Sequence, residues 1–172
     1  LGISAILAFL YRIFVNNILI IGEKRFFLES KNYKDTRISK IFFLYKLHYI
    51  RRPAFTMFFR SLYQFLWNFT VIGGIYKHYE YWMIPYILAE NPRISKKNAF
   101  FLSRQLSNHN KKKLLLLDLS FLGWKMLSLL SLGLVDFLYV NPYMATCKAE
   151  LYLTLRRNYV LSRSPGLSLI HI

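Results

Sequence analysis

The sequence predicts an all-α fold, a polytopic transmembrane helical bundle with interfacial amphipathic helices, and three observations lead to it. Lys111, Lys112 and Lys113 run without a spacer into Leu114, Leu115, Leu116 and Leu117. Charge is thus gathered at the ends of apolar runs, as at the cytoplasmic face of a membrane protein. The 172 residues are 55% hydrophobic and 18% aromatic, yet their formal net charge is +16. Of the 24 Lys and Arg, only Arg12 falls in 1–21 and only Arg60 in 53–76, against nine in 22–52 and seven in 93–113. A nucleic-acid-binding module would interleave basic and aromatic residues on one surface. Segregation along the chain argues against that class, so nucleic acid is not an expected partner.

Five hydrophobic segments are expected, at about 1–21, 53–74, 75–89, 114–131 and 134–155. Residues 1–21 hold one charge, Arg12, and the amides Asn16 and Asn17; at about 1.5 Å per residue they match a hydrocarbon core of roughly 30 Å. Residue 1 reads as lying already inside this span, in a fragment of a longer chain. In the basic stretch that follows, Ile38, Ile41, Phe42, Tyr45 and Tyr49 recur at helical spacing. They predict an interfacial helix at about 36–50, with Thr36 as its N-cap. Pro53 opens the second segment, and Gly73-Gly74 is the expected turn into the short third one, which contains Lys77, His78, Glu80 and Pro85. A hairpin there keeps both basic stretches on one face; a single kinked helix is the alternative. Ser95 is expected to cap a second interfacial helix at about 95–108, whose Ala99, Leu102 and Leu106 share a face. Residues 114–155 would extend about 60 Å as one helix, so they divide near Ser131 to Gly133. Residues 1–163 form one domain in this reading, and 164–172, beginning Ser164-Pro165-Gly166, read as a non-native tail.

The stretch Tyr79-Glu80-Tyr81-Trp82-Met83-Ile84-Pro85-Tyr86-Ile87-Leu88-Ala89-Glu90-Asn91-Pro92, with Ser103-Arg104, Leu119-Ser120-Phe121-Leu122-Gly123-Trp124, Asn141-Pro142-Tyr143 and Tyr152, resembles an uncharacterised bacterial multi-pass membrane family, domain-of-unknown-function family 975. The resemblance covers roughly residues 1–157. It implies a multi-pass protein of the bacterial cytoplasmic membrane with about six helices, the first of which this chain lacks. It carries no activity over, because the family has none established. One departure is visible: Val71-Ile72-Gly73-Gly74-Ile75 stands where relatives usually have a proline before the glycine.

The ionisable residues of the last hairpin are the most expensive in that reading. A central Lys or Asp costs about +2.5 to +3.5 kcal/mol on insertion scales, against about −0.3 to −0.6 for each Leu or Phe. A turn near 132–133 sets residues at one level when their numbers sum to about 266, which pairs Asp118 with Lys148. Asp118, Lys148, Lys125 and Glu150 are therefore the candidate intramembrane ion pair or polar lining; a helix-locking pair with interfacial snorkelling is the plainer reading. Arg93, Lys96, Lys97, Lys111, Lys112 and Lys113 are the candidate contacts to anionic lipid headgroups, unless the basic stretches only set orientation. His48, His78 and His109 form no HxxxH or HxxE pattern, and the lone Cys147 offers no CxxC pair. No catalytic residue, metal ligand or cofactor is expected. The sequence thus predicts a non-enzymatic integral membrane protein of unknown role, with solute or lipid handling as the candidate activity and the bilayer as partner. The alternative is a membrane scaffold or regulator binding anionic lipid or a partner through its basic cytoplasmic loops.

Overall fold

The computed structural model describes residue 4 and residues 11–32, 36–108, 110–130 and 133–163. Every regular element among them is helical. The chain divides into two compact units, residues 1–114 and 115–172.

In the first unit a π-helical turn, Arg12–Asn16, leads into α1 (Asn17–Asn32). A 3-10 turn (Ile38–Phe42) and the single turn α2 (Phe43–Lys46) follow. Then come α3 (Arg51–Asn68), α4 (Val71–Tyr81), α5 (Ile84–Glu90) and α6 (Lys96–Ser107). The centre is α5, which packs against α1, α3 and α6. Met83, Ile84 and Leu88 are wholly buried, and Tyr86 and Ile87 nearly so. Around them stand Ile18 and Ile21 from α1, Ala54 and Met57 from α3, and Ala99 and Leu106 from α6, all buried. A helix that is apolar all round belongs inside a core, and each such aliphatic side chain gains about 1.5–3 kcal/mol from burial.

The transmembrane bundle expected from the sequence is overturned here: no helix among the described residues is long and apolar enough to cross a membrane. Apolar runs were long enough, but the backbone breaks them. Segment 75–89 is split by the turn at Trp82 and Met83, and its second half is the core helix α5. Segment 114–131 is split at Phe121 into α7 (Lys111–Ser120) and α8 (Leu122–Leu130), each about 15 Å long, half of a hydrocarbon core. Segment 53–74 ends as a helix at Asn68, and α3 carries Arg51, Arg52 and Arg60. Segment 134–155 passes through a π-helical turn, Asp136–Val140, into α9 (Asn141–Arg163), which is 23 residues long but carries Lys148, Glu150, Arg156 and Arg157. Of segment 1–21, residues 1–3 and 5–10 lie outside the described residues. The remainder runs on into α1, which includes Glu23, Lys24, Arg25, Glu29 and Lys31. His109 and the 164–172 tail also lie outside the described residues, as do Ser131 and Leu132 of the expected turn.

Two local expectations are displaced. The turn into α4 falls at Phe69 and Thr70, with Thr70 extended, instead of at Gly73-Gly74. Both glycines sit inside α4 because the end of α3 lies against them: a Cβ on Gly73 would meet the Trp67 ring, and one on Gly74 would meet Asn68. Residues 36–50 form no single helix. Ile38 and Phe42 of the expected stripe are exposed, and Leu44 is the residue buried. Gly22 explains the packing there, since its α-carbon lies so close to the 3-10 turn that a Cβ would overlap the Ile41 carbonyl.

Two arginines satisfy helix C-termini, where orphan carbonyls and the helix dipole both favour a cation. Arg25 Nη1 donates to Ala89 O at 2.9 Å, and Arg60 Nε donates to Tyr81 O at 3.1 Å. Arg25 also pairs with Glu29, which in turn meets Lys40 Nζ at 2.9 Å. The second unit is a hairpin built on Phe121, Val140 and Met144, with Leu117, Val135 and Cys147 against them. Its turn uses Gly133 at φ +84°, a left-handed conformation suited to glycine.

Candidate functional site

Glu80, in the last turn of α4, is 3% exposed and gathers three cations. Lys77, one turn earlier on the same helix face, places Nζ 3.0 and 2.9 Å from the two carboxylate oxygens. Arg104 Nε, from α6, donates to Oε1 at 2.8 Å, and Lys111 Nζ, from the first turn of α7, lies 4.0 Å from Oε2. Two serines a turn apart on α6 fix this geometry by completing the carbonyls near the end of α4. Ser103 Oγ donates to Glu80 O at 2.6 Å, and Ser107 Oγ donates to Tyr79 O at 3.0 Å.

Aromatic rings enclose the cations. Lys77 Nζ lies 5.4, 5.9 and 5.6 Å from the ring centres of Trp67, Tyr76 and Tyr81, and Lys111 Nζ lies 3.2 Å from that of Tyr76. Such placements favour a cation through the ring quadrupole. Burial pushes the Glu80 carboxyl up, but the hydrogen bonds from Lys77 and Arg104, with their charges, outweigh it and hold it below the usual carboxylate range. The hydrogen bond and charge of Glu80 push the Arg104 guanidinium further up. With Glu80 ionised, three cations face one anion. They border a cavity of about 330 Å³ whose lining also includes Gln105 and Asn108.

The two basic stretches, far apart in sequence, meet elsewhere on the first unit. Arg52 Nη1 donates to Arg93 O at 3.5 Å, the Arg93 guanidinium lies 6.0 Å from the Tyr49 ring centre, and Lys96 Nζ sits 3.6 Å over Phe59. Among the described residues no carboxylate lies within ion-pair distance of Arg51, Arg52, Arg93, Lys96 or Lys97. Phe55 and Phe101, about half exposed, stand one turn beyond Arg52 and Lys97. Ser95 caps α6, accepting the Asn98 N–H at 3.2 Å.

Of the residues singled out from sequence, Asp118 and Lys148 are brought together, with Lys148 Nζ 2.7 Å from Asp118 Oδ1. Lys125 and Glu150 are both exposed. Lys111 belongs to the Glu80 cluster, while Lys112 and Lys113 are exposed beside it on α7. Lys77, Glu80 and Arg104 were not singled out. Their one sequence signal was a charge pair at i, i+3 within an apolar segment, since a carboxylate is not buried without partners.

The family model described as "Protein of unknown function (DUF975)" matches residues 1–159. Comparison with curated proteins and with solved structures returned no match. With the match extending over most of the chain, this protein belongs to the DUF975 family, whose function is unknown.

Proposed function

We propose that the protein is a non-enzymatic scaffold or regulator that binds anionic lipid headgroups at the surface of the bacterial cytoplasmic membrane, needing no cofactor. The observation that carries this reading is the meeting of Arg52 with Arg93, beside Lys96 over Phe59, while among the described residues no carboxylate lies within ion-pair distance of these three or of their neighbours Arg51 and Lys97. Headgroup attraction is worth about 1 kcal/mol per well-placed Lys or Arg. Phe55 and Phe101 supply apolar contact at the boundary between headgroups and acyl chains. In the second unit α8 adds Leu122, Trp124, Met126 and Leu129, all exposed, a denser apolar surface than scattered single residues would make.

Vesicle co-sedimentation of the full chain tests the proposal. Binding to phosphatidylcholine vesicles should rise with the fraction of phosphatidylglycerol and fall with salt. The quadruple variant Arg51→Gln, Arg52→Gln, Lys96→Gln, Lys97→Gln should lose most of the anionic component. Equal binding to neutral and anionic vesicles sinks it.

A further inference from the structure

The geometry points to a binding site for a phosphate monoester dianion in the cavity between α4, α6 and the first turn of α7. The charge arrangement separates an anchor from two cations in excess of the single Glu80 charge. Lys77 uses its ammonium on both oxygens of Glu80 and is enclosed by three rings, so these two residues neutralise one another. Arg104 and Lys111 are the surplus. Arg104 commits only Nε to Glu80; its two terminal nitrogens, with four N–H donors, have no hydrogen-bond partner among the described residues. Its side chain is 63% exposed. Lys111 is held above Tyr76, and its ammonium makes no hydrogen bond among the described residues. The side-chain amides of Gln105 and Asn108 line the same cavity and likewise make no hydrogen bond among the described residues.

Two cationic charges, a guanidinium edge and two amides make a donor set for a tetrahedral dianion. A guanidinium meets two oxygens of a phosphate side by side, and a lysine adds a point charge. A carboxylate ligand would satisfy one of the surplus charges and leave the other. Glu80 is a positioning residue: it fixes Arg104 through Nε and tempers the repulsion that would otherwise drive the cations apart. The volume of about 330 Å³ lies at the lower end of the roughly 300–1,000 Å³ usual for small-molecule sites. It accommodates a phosphate and the first atoms of its ester. The site is separate from the Arg52 and Lys96 face, so it stands independently of the surface reading. A lipid of the phosphatidic acid type and a small phosphorylated solute share this chemistry.

Calorimetric titration of the full chain with inorganic phosphate, and sedimentation with vesicles containing phosphatidic acid or phosphatidylglycerol at matched surface charge, test the site. Phosphate should bind and raise the melting temperature. Arg104→Gln with Lys111→Gln should weaken phosphate at least about tenfold, the loss of charge-assisted hydrogen bonds, while leaving binding to phosphatidylglycerol unchanged. Because Arg104→Gln also loosens Glu80, Asn108→Leu with Lys111→Gln is the second variant. It should weaken phosphate with the Glu80 to Arg104 bond intact. Preference for phosphatidic acid over matched phosphatidylglycerol identifies a lipid monoester; phosphate binding without that preference identifies a small phosphorylated solute. Failure of phosphate to bind, with no preference between the vesicles, overturns the site and leaves the surface reading standing. Phosphate binding with no vesicle binding at all overturns only the surface reading.

Discussion

Lys148 Nζ lies 2.7 Å from Asp118 Oδ1, joining α9 to α7 one helical turn from the Phe121, Val140 and Met144 cluster. Side-chain exposures of 20% for Lys148 and 28% for Asp118 place the pair between a surface bridge and a buried one. Asp118→Lys should lower the melting temperature, and adding Lys148→Asp should restore most of it. The coupling from a double-mutant cycle should be about 1 kcal/mol. Additive losses with no recovery would show that the two side chains do not interact in solution.

Gly22 and Gly123 should respond oppositely to alanine. A Cβ at Gly22 would overlap the Ile41 backbone carbonyl, which cannot swing away as a side-chain end can. Gly22→Ala should therefore destabilise by about 1–3 kcal/mol, as overpacking does. At Gly123, in α8, nothing lies within 4 Å of the added atom, and Gly123→Ala should stabilise by roughly 0.5–1 kcal/mol through helix propensity. Thermal denaturation measures both.

Acid should destabilise the first unit through Glu80 and Glu29. For each, burial raises the pKa but the partners lower it further: Lys77 and Arg104 for Glu80, Lys40 and Arg25 for Glu29. A carboxyl whose folded pKa is depressed contributes stability that is fully present above its unfolded value. That contribution is lost as pH falls through the folded value. The loss should begin near the ordinary value of 4.5 and continue below it. Glu80→Gln should reduce this acid dependence while lowering stability at neutral pH. An unchanged melting profile between pH 3 and 6, by comparison with the parent chain, would count against the ion cluster.

Ser103 and Ser107 close the end of α4 from α6. Removing the buried Ser103 hydroxyl leaves Glu80 O with only the long 3.5 Å approach of Ser107 Oγ. Ser103→Ala should cost about 1 kcal/mol and speed amide exchange in the last turn of α4. Ser103→Ala with Ser107→Ala should also weaken any anion bound beside Glu80, because the carboxylate loses its fixed height. Exchange rates at residues 79–82 report the first effect, and phosphate titration the second.

Local features were readable where neighbours in sequence carry the whole interaction. Ser95 before the Ala99, Leu102 and Leu106 spacing marks the start of α6, since a cap acts on an N–H three residues away. Asp118 and Lys148 could be matched by number because a tight turn near Gly133 sets the register of both arms. The run from Tyr81 to Ala89 misled for a physical reason. A helix buried by α1, α3 and α6 and one buried by lipid present the same apolar composition; length separates them. Here the turn at Trp82 and Met83 set the length, and no punctuating glycine marks it. Gly73-Gly74 misled in the reverse sense, because glycine serves close helix contact as well as turns.

By itself the sequence determined the helical class, the strong positive charge and its concentration in two stretches, because these follow from residue type and short-range spacing. Tertiary structure decided which apolar runs become core, where the helices break, that Arg52 and Arg93 share a face, and that Glu80 holds Lys77, Arg104 and Lys111 together. Those outcomes depend on groups up to 64 residues apart. Their energies arise from desolvation and charge pairing that exist only once α3, α4, α6 and the start of α7 are packed.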